Sequence, residues 1–256
     1  MYPYELFWGL TLYDILLGLS AIAAMGLFAF FSNKRKLSAR YHNFILCDAV
    51  ASIFVGYLVS VLFQALWNWL GGDNLEVTEN TGATFLGGLI GGAGCFLAFY
   101  YLVGHFVFKD GEHIRLMKPM LDVFAPCIPA AHAVGRIGCL CAGCCYGRRT
   151  DAWYGITMAD LGYKVIPVQL FESLFLFALT GFLVWRALKN KRGNLPLYMA
   201  AYGVWRFFAE YLRDDDRGAS IISFFTPSQF ISVLLVLGAI ALWLILYPPK
   251  PAKKAA

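Results

Sequence analysis

The sequence predicts an all-α, polytopic membrane protein with about seven transmembrane helices, its N-terminus outside and its C-terminus cytoplasmic. Three observations carry that expectation. Of 256 residues, 59% are hydrophobic and only 14% charged, against about 25% charged in a soluble domain. Mean hydropathy is +0.61, and the apolar residues fall in runs of membrane-spanning length. The net charge of +5 arises from short basic clusters between those runs, as membrane topology signals do. This composition excludes a soluble globule, a disordered chain and a nucleic-acid-binding domain.

A spanning helix needs roughly 20 mostly apolar residues, which places spans near 8–31, 43–70, 84–108, 119–141, 167–185, 195–212 and 226–248. The first is read as retained rather than as a cleaved signal. It opens on Glu5 instead of a basic segment, and its apolar run is too long for a signal core. The fourth and sixth are interrupted by Arg136 and Arg206. With the N-terminus outside, 14 Lys and Arg residues fall in cytoplasmic segments and five in outer loops, the bias that sets orientation. The loop 71–83 holds three acids and no base, which suits the outer side. No internal repeat is seen. A single membrane domain is expected over 1–248, followed by a basic cytoplasmic tail, 249–256, at anionic headgroups.

Charged groups inside a membrane are costly, about 2.5–3.5 kcal/mol each at a helix centre on insertion scales, so each needs a reason. His132, Arg136 and Cys139 share one helical face, with Gly143 continuing it. Gly203, Arg206, Glu210 and Arg213 share another, and Arg206 and Glu210 have ion-pair spacing. Gln169 and Glu172 open the fifth span. With the fourth and sixth spans running outward, Arg136 would lie about 25 Å along its helix. Arg206, Glu210, Gln169, Glu172 and the glycine run Gly87, Gly88, Gly91, Gly92, Gly94 would reach the same outer level. These positions suggest a cavity open to the outer leaflet, lined by two arginines and two glutamates. Planar guanidinium groups suit a phosphate or carboxylate, and a phospholipid headgroup is the most available anion there. The plainer alternatives are a structural ion pair and close helix packing on glycine.

Four of the seven cysteines crowd into Cys139, Cys141, Cys144 and Cys145. Cys141 and Cys144 form a C-x-x-C, and arginines nearby would favour thiolate. Three readings stand: packing or a disulfide, a reactive or acyl-carrying thiol, and a metal site. Four ligands so close in sequence would need a tight loop and no second C-x-x-C exists, so neither metal nor cofactor is assigned. Cys141, Cys144 and Cys145 are the candidate reactive thiols.

The run Gly135-Arg136-Ile137-Gly138-Cys139-Leu140-Cys141-Ala142-Gly143-Cys144-Cys145-Tyr146-Gly147-Arg148 resembles the signature of prolipoprotein diacylglyceryl transferases, roughly Gly-Arg-x-Gly-Asn-Phe-x-Asn-Gly-Glu-x-x-Gly-Arg. Leu86-Gly87-Gly88-Leu89-Ile90-Gly91 is similar to that family's His-Gly-Gly-Leu-x-Gly. Pro167-Val168-Gln169-Leu170-Phe171-Glu172 is similar to its Pro-Ser-Gln-Leu-Tyr-Glu. The stretch from Tyr202 and Gly203 through Arg206, Phe207, Glu210 and Arg213 is similar to its Tyr-Gly-x-x-Arg-Phe-x-x-Glu-x-x-Arg. The resemblance implies transfer of diacylglyceryl from phosphatidylglycerol to the lipobox cysteine of a preprolipoprotein, with release of glycerol phosphate, at the bacterial cytoplasmic (inner) membrane.

On that resemblance, Arg136 and Arg206 would hold the phosphate, with Glu210 supporting them and His132 as an expected base. Gly87, Gly88, Gly135, Gly138, Cys139, Gly143, Gln169, Glu172, Tyr202 and Arg213 would bind or frame the substrates. Leu86 stands where the family has histidine. Cys139, Ala142 and Cys144 replace its two asparagines and its glutamate. The alternatives are a membrane thiol-redox or metal-handling protein built on the cysteine cluster, and a phospholipid-binding homologue without turnover.

Overall fold

The computed structural model describes residues 4–70, 77, 84–158, 161–213 and 224–248. The basic tail 249–256 and nearly all of the acidic loop 71–83 lie outside the described residues. Helices dominate, with two short antiparallel pairs, β1 (Glu5–Phe7) with β2 (Leu10–Thr11), and β3 (Ile156–Thr157) with β4 (Lys164–Val165). Six helices among the described residues are long and apolar enough to cross a membrane. Many of their large side chains point outward: Phe54 and Trp67 are each 63% exposed, and Ile245 72%. Aqueous solvent would not tolerate such continuous apolar faces, whereas lipid does. This is an integral membrane protein.

The chain divides into two compact units, one of Ser32–Met117 and one of Met1–Phe31 with Lys118–Ala256. In the first, α2 (Ala39–Leu70) packs along α3 (Phe85–Ala98). Glycine makes that approach close. A Cβ on Gly87 would lie 2.8 Å from Phe63 Cβ, one on Gly91 2.5 Å from Val59 Cβ, and one on Gly56 3.0 Å from the Gly88 carbonyl oxygen. A π-turn, Phe99–Val103, follows α3 and leads to the short α4 (Gly104–Val107). Within that turn Tyr100 shares a hydroxyl hydrogen bond of 2.8 Å with Tyr41 of α2 and donates to the His113 carbonyl.

The second unit holds α1 (Leu12–Lys34) over most of its length, α6 (Cys127–Ala142), α7 (Val168–Leu188), α8 (Asn194–Ala209) and α9 (Pro227–Leu246). The expected fourth span is one helix of membrane length, Glu112–Ala142, with its hydrogen-bond ladder interrupted locally at Ala125-Pro126. Helix α5 (Glu112–Phe124) ends before Ala125-Pro126, and α6 begins at Cys127 with Pro126 as its cap. Proline cannot supply the amide that a continuous helix requires, so the break falls where Pro126 and Pro129 stand. Arg136 lies nine residues into α6, about 14 Å from its start. The expected sixth span appears as α8, 16 residues long, extended by a 3-10 turn at Glu210–Leu212. Its core packs Leu176, Leu179 and Leu183 of α7 against Tyr198 and Tyr202 of α8, with Ala133 of α6. Phe175 and Trp205 stack at 4.5 Å. Gly203 meets α9 closely, because a Cβ there would sit 2.8 Å from Val236 Cγ2 and 3.0 Å from the Ser232 carbonyl.

Candidate active site

Glu172 is the centre of the polar network in the second unit. It sits one turn into α7 and is fully buried, a position that a carboxylate keeps only with partners. Its Oε2 lies 3.0 Å from Arg136 Nε, its Oε1 accepts from the Tyr202 hydroxyl at 2.8 Å, and His132 Nε2 stands 3.6 Å away. Three helices thus meet on one side chain. The helical spacing of His132 and Arg136 on α6 brings both to the same partner, and the His132 ring packs edge-on against Tyr202 at 5.1 Å.

Arg206 has its own carboxylate. Its Nη2 is 2.7 Å from Glu210 Oε2 and donates to Ser228 Oγ at 2.9 Å, so the ion pair expected from their spacing is present. Thr226 Oγ1 donates to the other oxygen of Glu210 at 3.1 Å. Both ion pairs are close but out of line for hydrogen bonding: Arg136 Nε, Glu172 Oε2 and Glu210 Oε2 have no aligned protein partner. Arg206 Nη1 is buried and has none either. Each guanidinium carries five N–H donors, so both arginines keep donors for an anion while their net charge is balanced. Removing either carboxylate would strand a buried cation, at a cost of about 3–5 kcal/mol.

Beyond α6 the chain turns sharply. Gly143 takes the left-handed conformation, φ 73°, and Cys144 N returns to the Cys139 carbonyl at 3.1 Å, closing the helix end. Cys145 is also left-handed, φ 61°, unusual for a residue with a side chain. Four bonds hold this turn. Gln169 Nε2 donates to the Cys144 carbonyl and Arg213 Nη1 to that of Cys145. Gly147 N donates to Ile166 and Arg148 N to Leu212. Gly147 is wedged against the Leu212 carbonyl and Val168, leaving no room for a Cβ. The sulfurs of Cys139, Cys144 and Cys145 all lie within 4.8 Å of one another. The Cys145 thiol is held below the usual thiol range by hydrogen bonding from Cys139 and Cys144, with Arg136 and Arg213 adding to the effect. Cys144, whose Sγ donates to the Cys139 carbonyl oxygen at 3.6 Å, is pushed up by hydrogen bonding with Cys139 and Cys145.

The profile of the prolipoprotein diacylglyceryl transferase family matches residues 4–245 of this sequence. The chain belongs to that family. It is 32% identical to a phosphatidylglycerol–prolipoprotein diacylglyceryl transferase 2 of Clostridium perfringens, over 90% of this chain and 89% of that one. It is 30% identical to the corresponding transferase of Clostridium tetani, over 91% and 92%, and 27% identical to that of Dehalococcoides mccartyi, over 95% and 91%.

Against the residues that the diacylglyceryl transferase resemblance singles out, the structure brings His132, Arg136, Glu172 and Tyr202 together. It joins Arg206 to Glu210, and ties Gln169 and Arg213 to the turn. Gly138 faces Tyr13 of α1, 3.2 Å from an ideal Cβ, whereas a Cβ on Gly135 would meet nothing within 4 Å. Gly87 and Gly88 make their close contacts with α2 of the other unit, and Leu86 lies in α3. Cys141 is outside the sulfur trio, and Cys139 is inside it. Thr226 and Ser228 were not singled out from sequence. Their signal was present as the capping sequence Thr226-Pro227-Ser228-Gln229 opening the last apolar run, where Thr226 caps Gln229 N.

Proposed function

We propose that this protein moves diacylglyceryl from phosphatidylglycerol to the lipobox cysteine of a preprolipoprotein at the bacterial cytoplasmic membrane, releasing glycerol phosphate. The acceptor sulfur attacks the glyceryl carbon that carries the phosphate. An S–C bond forms, the C–O bond to phosphate breaks, and the thiol proton ends on the departing phosphate monoester or in solvent. Charge therefore grows on phosphate oxygens as the reaction proceeds, and groups already aimed at those oxygens lower the barrier. Arg136 and Arg206 fill that role. Glu172 and Glu210 hold the two guanidinium groups, and His132, beside Glu172, is placed to take a proton. Tyr202, Gln169 and Arg213 fix α8, the turn and the carboxylate, and the bare surface at Gly135 admits the lipid. Gly138 and Gly143 shape α6 and its end, and Gly87 and Gly88 shape α3. In the membrane we place seven spans, counting α8 with its 3-10 turn, with the N-terminus outside and the C-terminus inside.

The observation that carries this reading is that half-buried Arg136 and buried Arg206, on different helices, are each paired with a buried glutamate while Arg206 Nη1 keeps no protein partner. Purified protein in detergent, given phosphatidylglycerol and a lipobox peptide, tests it through glycerol phosphate release. Release that needs the peptide and is lost in Arg136→Ala and Arg206→Ala is the expected result. Lipid binding without peptide-dependent release would instead make the chain a phospholipid-binding homologue.

A further inference from the structure

We propose that Cys139, Cys144 and Cys145 form a three-thiolate site for a zinc-class divalent cation, whose fourth position takes the acceptor thiol as thiolate. The inference rests on the transferase reading above and supplies its acceptor half. Three sulfurs bound at about 2.3 Å to one ion would stand roughly 4 Å apart, and these three already lie within 4.8 Å of one another. They do not belong to one helix face. Cys139 is in the last turn of α6, and the left-handed pair Gly143 and Cys145 folds the next two thiols back beside it. The bonds from Gln169, Arg213, Gly147 and Arg148 hold that turn by its backbone, so the ligand geometry is set without the ion.

The donor set has an open side. Cys144 is exposed, and Cys139 and Cys145 are half-buried. Neither histidine nor carboxylate joins the group among the described residues. A zinc-class ion with three protein ligands keeps its fourth position for water or substrate. Three thiolates and a divalent ion carry one net negative charge. Arg136, its Nη1 3.9 Å from Cys139 Sγ, and Arg213, on the Cys145 carbonyl, lie beside it to offset that charge.

The chemistry follows from the open position. A thiol that coordinates such an ion loses its proton at neutral pH, here to solvent. The metal-held sulfur then attacks the glyceryl carbon, and the C–O electron pair leaves with the phosphate against Arg136. The thioether product is a poor ligand and departs. The ion undergoes no redox change.

Cobalt(II) is the probe. Full-length protein, purified in detergent with reductant and stripped with chelator, is titrated with cobalt and read by its sulfur-to-metal charge-transfer band. A single equivalent should bind and be displaced by zinc. The substitutions Cys144→Ser and Cys145→Ser should weaken binding by more than the roughly 100-fold that outer-shell changes cost, and Cys141→Ser should leave it unchanged. Iodoacetamide labelling of the three thiols, slowed by zinc in wild type, reads the same site without depending on any variant's folding. A lipobox peptide should intensify the band, and its Cys→Ser counterpart should not. Absence of stoichiometric binding, binding retained in the Cys144→Ser, Cys145→Ser double variant, or a disulfide within the trio in protein isolated without reductant would overturn the site. An unchanged band with peptide would overturn its acceptor role, as would full glycerol phosphate release by chelated protein, which leaves the transferase reading standing. A spectral response to peptide with no release under any metal would do the reverse.

Discussion

Helices α2 and α3 meet through glycine, whereas α6, α7 and α8 meet on the buried carboxylate of Glu172. In the first case Gly56, Gly87 and Gly91 remove side chains so that two backbones can approach, which is how helices gain packing energy in a medium that gives no hydrophobic driving force. In the second, Arg136, Glu172, Arg206 and Glu210 are each expensive to bury and stay only in mutual compensation. Both regions place small or polar residues inside long apolar helices, and composition alone does not tell them apart. The contacts do: a glycine contact is saturated, with no atom left to offer, while the charge network keeps Arg206 Nη1 and the Oε2 atoms of both glutamates without aligned partners. Unpartnered polar atoms also occur in the first unit, at Asp48 Oδ2 of α2 and His113 Nδ1, so the regions differ in how their helices meet: bare backbone in one, buried glutamates and their cations in the other.

That contrast can be broken by substitution. The largest effect is expected from Glu172→Gln, which strands the buried charge of Arg136 and should cost about 3–5 kcal/mol. It is read as a lowered unfolding temperature in detergent, and an unchanged temperature would mean that Glu172 is not the centre of the network. Next is Arg136→Ala, for which turnover should fall by about 10²–10³-fold, the usual loss for one donor aimed at developing charge. Gly91→Val comes third. Its Cβ would stand 2.5 Å from Val59 Cβ, and overpacking of this kind costs about 1–3 kcal/mol, visible in thermal stability but not in lipid headgroup affinity. The smallest effect is at Gly94, where a Cβ meets nothing within 4 Å. Gly94→Ala should be neutral or add about 0.5–1 kcal/mol, and a loss as large as that at Gly91 would dissolve the distinction drawn between them.

Hydropathy and basic clusters were enough to place every helix of membrane length within several residues, because lipid exposure writes itself on whole segments. The i, i+4 spacing of Arg206 and Glu210 announced their pair, and that of His132 and Arg136 announced a common face. The depth of the charged residues put Glu172 at the level of Arg136, but that it would be the shared partner of His132, Arg136 and Tyr202 was not legible, since contact across helices leaves no spacing in the sequence. The break at Ala125-Pro126 was signalled by Pro126 and Pro129 but masked by the apolar residues around them. The cysteines misled in a particular way. C-x-x-C drew the eye to Cys141 and Cys144, whereas a helix end at Gly143 followed by left-handed Cys145 gathers Cys139, Cys144 and Cys145. Thr226 and Ser228 were hidden because a capping sequence reads as a helix start, and their second partners, Glu210 and Arg206, lie on α8 and the 3-10 turn that extends it.

The role proposed for Arg136 and Arg206, each paired with a glutamate, is to hold the phosphate of the lipid donor. Titrating phosphatidylglycerol into detergent-purified wild type, Arg136→Ala, Arg206→Ala and Gly91→Val tests it most directly, with Kd as the readout. Loss of about tenfold or more in each arginine variant, one charge-assisted hydrogen bond being worth about 1.5–3 kcal/mol, with Gly91→Val binding as wild type does, is the predicted result. Equal affinity across all four proteins would contradict it and return the arginines to a structural role.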